Sequence, residues 1–214
     1  MGKLGISDYD EYWDDRIERK HYQYTDVHQK IVEVAQGVLG NEKARVLDCG
    51  VGPGHVYREL SKLYEAYGLE ISEKVFGLYR FDTSRIQIWD LNNGLPPFDP
   101  PLDLIIASRI VHHLDDPIGF LGHVRKNLRE KGWFIGVIPN ICYYHHRIKF
   151  LLGKFPPISG AHVNFQTGPT FEKMVVAQGF ELRQLITPKK TIRAKFWPTV
   201  FSQDLLYVFQ KSET

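Results

Sequence analysis

A run of glycines and a set of carboxylates carry the chemistry most readable in this chain. In Val46-Leu-Asp48-Cys-Gly50-Val-Gly52-Pro-Gly54 an apolar run ends in glycines at alternate positions. There the missing Cβ lets the backbone turn sharply and come close to a ligand. The helix expected next aims its first N–H groups at the same place. Glu70 stands 16 residues beyond Gly54, at the end of the next apolar run, where a carboxylate can accept from both hydroxyls of a ribose. Asp90 closes a third run, Ile88-Trp89-Asp90-Leu91, and could accept from an adenine amino group. One acid at a strand end is commonly just a turn or cap residue. Two at successive ends, after a glycine turn, fit an adenosine site better.

The type of adenosine ligand follows from two neighbours of the glycines. A dinucleotide fingerprint needs glycine at position 55, where His55 stands, and Asp48 would sit badly beside a pyrophosphate. It suits an ammonium group, which S-adenosylmethionine carries. His112 and His113 follow a fourth apolar run, Leu102–Ser108, and are candidate general bases for an acceptor that must lose a proton. His145, His146 and His162, with Tyr143 and Tyr144, could complete an acceptor pocket. No histidine pair sits at i,i+4 with a third acidic ligand, so no metal is expected. Cys49 and Cys142 have neither CxxC nor metal-ligand spacing, which suggests reduced thiols in a cytoplasmic protein.

Alternating elements must position these groups. Val27, Ile31, Val34, Ala35 and Val38 predict a helix opened by Thr25-Asp26. Strands are predicted at Arg45–Asp48, Ala66–Ile71, Ile86–Trp89, Leu102–Ser108, Trp133–Ile138, Phe180–Ile186 and Leu205–Phe209. Helices are predicted through Leu60 and Leu63, from Asp116-Pro117 through Leu128, and over Phe171–Ala177 before Gly179. That rhythm means an α/β fold with a mostly parallel sheet. The 214 residues suffice for one core, and no apolar run reaches the ~20 residues of a membrane span. The N-terminus lacks the apolar stretch of a secretory signal. Lys and Arg total 27 against 25 Asp and Glu, which gives no reason to expect nucleic acid or a membrane as partner. Residues 1–24 form an aromatic, charged N-terminal segment, a candidate cover for the cofactor site, and 25–214 the main domain. Within that domain, 139–168 reads as a lid or substrate insertion. The basic loop 188–202, with Lys189, Lys190, Arg193 and Lys195, reads as solvated charge.

Between Val46 and about Phe180 the sequence resembles the class I S-adenosylmethionine-dependent methyltransferases of type 11/12-like kind. The likeness rests on Asp48–Gly54, Glu70, Asp90-Leu91, Phe98–Ser108, Val111-His-His-Leu-Asp-Asp-Pro117 and the Gly132-Trp-Phe strand. It implies a Rossmann-like seven-stranded sheet, helices on both faces and an antiparallel last strand. It also implies that Asp48, Gly50, Gly52 and Gly54 line the methionine moiety, Glu70 the ribose, and Asp90 and Leu91 the adenine. Ser108 and Arg109 would approach the methionyl part, and Tyr12, Trp13 and Arg16 resemble a segment that closes over the cofactor in some relatives. The stretches from Pro139-Asn140 to Gly153 and from His162 to Glu172 are similar to the MetW family of methionine biosynthesis. The implied activity is methyl transfer from S-adenosylmethionine to an O or N atom of a small molecule. The alternative is a cofactor-binding assembly or regulatory protein without turnover.

Overall fold

Alternating side-chain parity along the central strands decides how this chain layers. A computed structural model describes residues 6–20, 22–40, 43–154, 163–188 and 192–213. Strands β1 (Arg45–Cys49), β2 (Glu65–Glu70), β3 (Ile86–Ile88), β4 (Leu102–Ser108), β5 (Leu128–Pro139), β6 (Phe180–Ile186) and β7 (Asp204–Lys211) form one sheet. Its order is β3-β2-β1-β4-β5-β7-β6. The first five strands pair in parallel, and β7 runs antiparallel between β5 and β6.

In β4, Leu104 and Ile106 point to one face, Ile105 and Ala107 to the other, as strand periodicity requires. The first pair packs with Val46, Val137 and Val208 against α2 (Asp26–Leu39) and α3 (His55–Leu60). The second packs with Leu47, Phe134 and Phe209 against α4 (Pro117–Asn127) and α6 (Gly168–Ala177). Such strands are apolar on both faces because both are covered. Each fully buried Phe, Leu or Ile contributes about 1.5–3 kcal/mol.

Three boundaries differ from the sequence expectation by three residues or more. The helix expected through Leu63 stops at Leu60, where Tyr64 N–H returns to Leu60 O at 2.9 Å and the chain turns into β2. Strand β5 begins at Leu128 rather than Trp133. Leu128 pairs with Leu102 and Trp133 with Leu104 across a bulge at which Lys131 takes φ +59°. Helix α6 starts at Gly168, ahead of Phe171, because Thr167 accepts from Thr170 N–H and Pro169 occupies the first turn.

Outside the layers lie α1 (Ile6–Glu18), α5 (Tyr144–Leu151), α7 (Ile192–Phe196) and α8 (Pro198–Phe201). The latter three sit in the connections that leave β5 and enter β7. The first is tied to the turn after β2: Ser72 Oγ donates to Asp10, and Lys74 reaches Asp14 at 3.0 Å. No helix among the described residues is long and apolar enough to cross a membrane.

Candidate active site

From β1 the strand order runs outward through β2 to β3, then restarts on the other side with β4. The carboxyl ends of β1 and β4 therefore face a crevice, the position where open parallel sheets take ligands. A cavity of about 710 Å³ occupies it. Asp48, Gly50, Gly52, Glu70, Asp90, Leu91, Ser108, Arg109, His112, His113, Tyr12, Trp13 and Arg16 all line it.

The glycine turn is built by close approach. Gly50 has φ +73°, and a Cβ there would meet Ile110 Cδ1 at 2.2 Å. Gly52 has φ +51° and is fixed on both sides: its N–H donates to Glu70 Oε2 at 2.7 Å, and its carbonyl accepts from the Tyr79 hydroxyl at 2.6 Å. Gly54, with φ +79°, closes the turn just beyond the lining, and a Cβ there would meet the Phe81 ring at 2.2 Å.

Glu70 is buried and heavily satisfied. Besides Gly52, the N–H groups of Ile71 and Ser72 reach its Oε1 at 3.0 and 3.2 Å, and the Trp13 side chain hydrogen-bonds to it. Burial raises its pKa, and these donors oppose the rise. Asp48 is also buried and its carboxyl is pushed up to about 7, chiefly by desolvation and then by the charge of Glu70. The Tyr57 backbone N–H holds it partly down. A cation arriving beside these two acids removes that penalty. Asp90 both lines the cavity and caps the turn that follows, accepting from Asn92 N–H at 2.9 Å.

Across the crevice, Arg109 adopts φ +58° and clamps Asp204 at the start of β7 through two hydrogen bonds of 2.8 and 2.7 Å. Arg109, expected to approach the methionyl part, lines the cavity while the Asp204 carboxylate holds its guanidinium. His112 and His113 lie on the short 3₁₀ turn after β4, their ring centroids 4.2 Å apart. The carbonyl of His112 accepts from the N–H groups of Val163 and Asn164, both at 3.0 Å, which pins the turn. His113 meets the edges of Tyr9 and Tyr12 at 6.2 and 6.3 Å. Burial and the charges of Asp90 and Asp115 push the Tyr9 hydroxyl up to about 12, so it stays a neutral donor.

Of the other histidines, His146 reaches the cavity from α5 while His145 faces solvent. His162 lies outside the described residues. Tyr143 and Tyr144 pack on one another at 4.8 Å, away from the lining. Sequence reasoning had Tyr9 only as one aromatic of the candidate cover, and it missed Gln203 and Asp204. Asp204 lies 95 residues from its partner Arg109 and becomes legible only through the antiparallel placing of β7. Among the described residues no cluster of His, Cys, Asp or Glu could hold a metal.

This arrangement fits S-adenosylmethionine. Two buried carboxylates await positive charge, a third stands at the adjacent strand end, and Gly50 and Gly52 bring bare backbone to the cavity lining. Comparison with known proteins agrees. An uncharacterized methyltransferase of Oceanobacillus iheyensis is 27% identical over 121 residues, 54% of this chain and 57% of that relative, so the match spans little more than half its length. Two solved structures share the fold. Magnesium protoporphyrin IX methyltransferase of Synechocystis PCC 6803, with bound S-adenosylhomocysteine, is 15% identical at a TM-score of 0.70, covering 95% of this chain and 96% of that one. A chain from the complex of the Haloferax volcanii Trm112 methyltransferase activator with its methyltransferase is 15% identical at 0.68, covering 99% of each. The model of the methyltransferase domain matches residues 7–185. The chain belongs to that family, the S-adenosylmethionine-dependent methyltransferases.

Proposed function

We propose that the cavity transfers a methyl group to an oxygen or nitrogen atom of a small-molecule acceptor, with His112 or His113 taking the acceptor's proton. The observation that supports this is the meeting of two walls in one cavity. Asp48, Gly50, Gly52, Glu70, Asp90 and Leu91 form one wall, and His112, His113 and His146 stand in the other. S-adenosylmethionine, when bound, supplies a methyl group on a sulfonium that departs as a neutral thioether.

The chain's part is to bind, orient and exclude water. Asp48 would hold the ammonium group, Glu70 the ribose hydroxyls and Asp90 the adenine amino group, with Leu91 against the ring. Ser108 would border the methionyl part, and Arg109 keeps its place through Asp204. Tyr12, Trp13 and Arg16 of α1 cover the cavity, and Arg16 lies 4.5 Å over the Tyr12 ring. Orientation of this kind is worth about 7–11 kcal/mol of barrier. A hydroxyl or protonated amine acceptor needs a base as well, and a positioned imidazole contributes about 10²–10⁴-fold.

Isothermal titration with S-adenosylhomocysteine tests the binding wall, and no heat up to about 1 mM ligand refutes it. Transfer of labelled methyl groups across an acceptor panel tests the other wall. His112→Ala or His113→Ala lowers kcat about 10²-fold or more with ligand affinity retained. Intact binding with no product from any acceptor identifies a regulatory or assembly protein instead.

A further inference from the structure

The net charge of +2 hides a segregation that the fold makes plain. No Asp or Glu occurs between Glu130 and Glu172, nor between Glu181 and Asp204. In sequence these stretches carry nine Lys and Arg; of these, Arg147, Lys149, Lys154 and Arg193 stand among the described residues in or beside α5 and α7, in the connections that leave β5 and enter β7, while Lys189 and Lys190 lie outside the described residues. The other 18 Lys and Arg face 25 Asp and Glu, so the rest of the molecule is acidic. Among the described residues, no ion pair engages Arg147, Lys149, Lys154 or Arg193.

The same connections expose large apolar side chains. Helix α5 buries none of its residues, and Tyr144, Ile148, Leu151 and Leu152 follow the i, i+4, i+7, i+8 spacing of one stripe. Leu151 is 86% exposed, Ile192 81% and Phe196 69%, with Phe150, Leu152 and Trp197 also exposed. The two connections form one surface. Tyr144 meets Phe201 at 5.6 Å, Trp197 meets Phe201 at 6.4 Å, and the Asn140 amide donates to the carbonyls of Thr199 and Ser202 at 3.0 and 2.7 Å.

We propose that the surface formed by α5, α7 and α8 docks on an anionic lipid bilayer. The apolar tips need a hydrocarbon depth and the surrounding cations need negative head groups; an anionic leaflet offers both, with aromatic rings at the boundary. A second copy of the chain would set cations against cations across a symmetric contact. His146, on α5, already lines the cavity, so docking brings the mouth of the cavity to the lipid surface. This differs from the absence of a membrane partner expected from overall charge, because charge balance says nothing about where charges collect.

Flotation of the full chain with phosphatidylcholine vesicles, with and without about 30% phosphatidylglycerol, tests the proposal. Each cation near such a surface strengthens partitioning about fivefold, so at least tenfold preference for the anionic vesicles is expected, with release in about 0.5 M salt. Leu151→Glu with Ile192→Glu, and separately Lys149→Glu with Arg193→Glu, each weaken binding at least tenfold while S-adenosylhomocysteine affinity stays unchanged. Leu63→Glu, an exposed apolar position on the turn before β2, leaves vesicle binding as it was. Equal binding to neutral vesicles, no binding to either, or parental binding by both double variants overturns the proposal. So does a lipid-free dimer that Leu151→Glu returns to monomer.

Discussion

Asp48→Asn separates stability from ligand binding with opposite signs. The Asp48 carboxyl titrates near 7 in the folded chain against 3.8 as the ordinary value. A folded value above the unfolded one means its contribution is fully present below pH 3.8 and is lost as pH rises through 7. Between pH 5 and 8 the linkage integral over these two values removes about 2–3 kcal/mol from the ligand-free protein. Asparagine carries no charge and can still accept from the Tyr57 N–H, so the variant escapes that loss. At about 2–4 °C per kcal/mol for a chain of this size, the Tm advantage of Asp48→Asn over the parent should grow by about 5–10 °C from pH 5 to pH 8. Calorimetric or fluorescence melts of both proteins across that range measure it. Ligand affinity runs the other way: the parent binds S-adenosylhomocysteine more tightly as pH rises toward 7, because the ligand's ammonium needs the carboxylate. The variant binds at least tenfold more weakly and without that slope. A Tm difference that is constant from pH 5 to 8 would falsify the assignment of a desolvated, protonatable Asp48.

Trp13→Phe removes the side-chain hydrogen bond to Glu70 but keeps an aromatic ring over Gly52, so S-adenosylhomocysteine Kd should rise about 3–10-fold with little change in Tm; an unchanged Kd would mean that α1 only covers the cavity from outside. Gly50→Ala places a methyl group where Ile110 already stands, so titration calorimetry should show loss of ligand binding, and retained affinity would mean that the turn is free to shift. His28 Nδ1 accepts from Thr25 N–H at 2.9 Å, and burial lowers its pKa to about 4. A depressed folded value means the contribution is present above about 6.5 and lost as pH falls toward 4. Proton-resolved NMR should show the N-terminus of α2 fraying in that window and not above it. Asp204→Asn, measured by urea unfolding, should cost about 1–3 kcal/mol by weakening the hold on Arg109.

The fold was legible because the central strands β1, β4 and β5 are apolar on both faces and the strands are punctuated by Gly, Pro or an acid. Asp48, Glu70 and Asp90 were legible for the same reason: each ends an apolar run, and the parallel sheet brings those ends to one edge. Periodicity could not show how a backbone turn is secured. Glu70 looked like a free acceptor and is gripped by three backbone donors; Gly54 looked like part of the cradle and makes room for Phe81. Arg109 was visible as a residue after a strand, but its partner sits on the far side of β5. Nothing local in Gln203-Asp204 signals that an antiparallel strand begins at the cavity.

Strand β7 is made after every other strand, yet it lies between β5 and β6. Until the ribosome has released residues 204–211, both neighbours expose a bare hydrogen-bonding edge, and the cavity lacks the carboxylate that holds Arg109. A nascent chain therefore passes through a stage with most of its core assembled and two sticky borders open, the stage at which self-association competes best with folding. Completion of this sheet depends on threading its last strand into its middle.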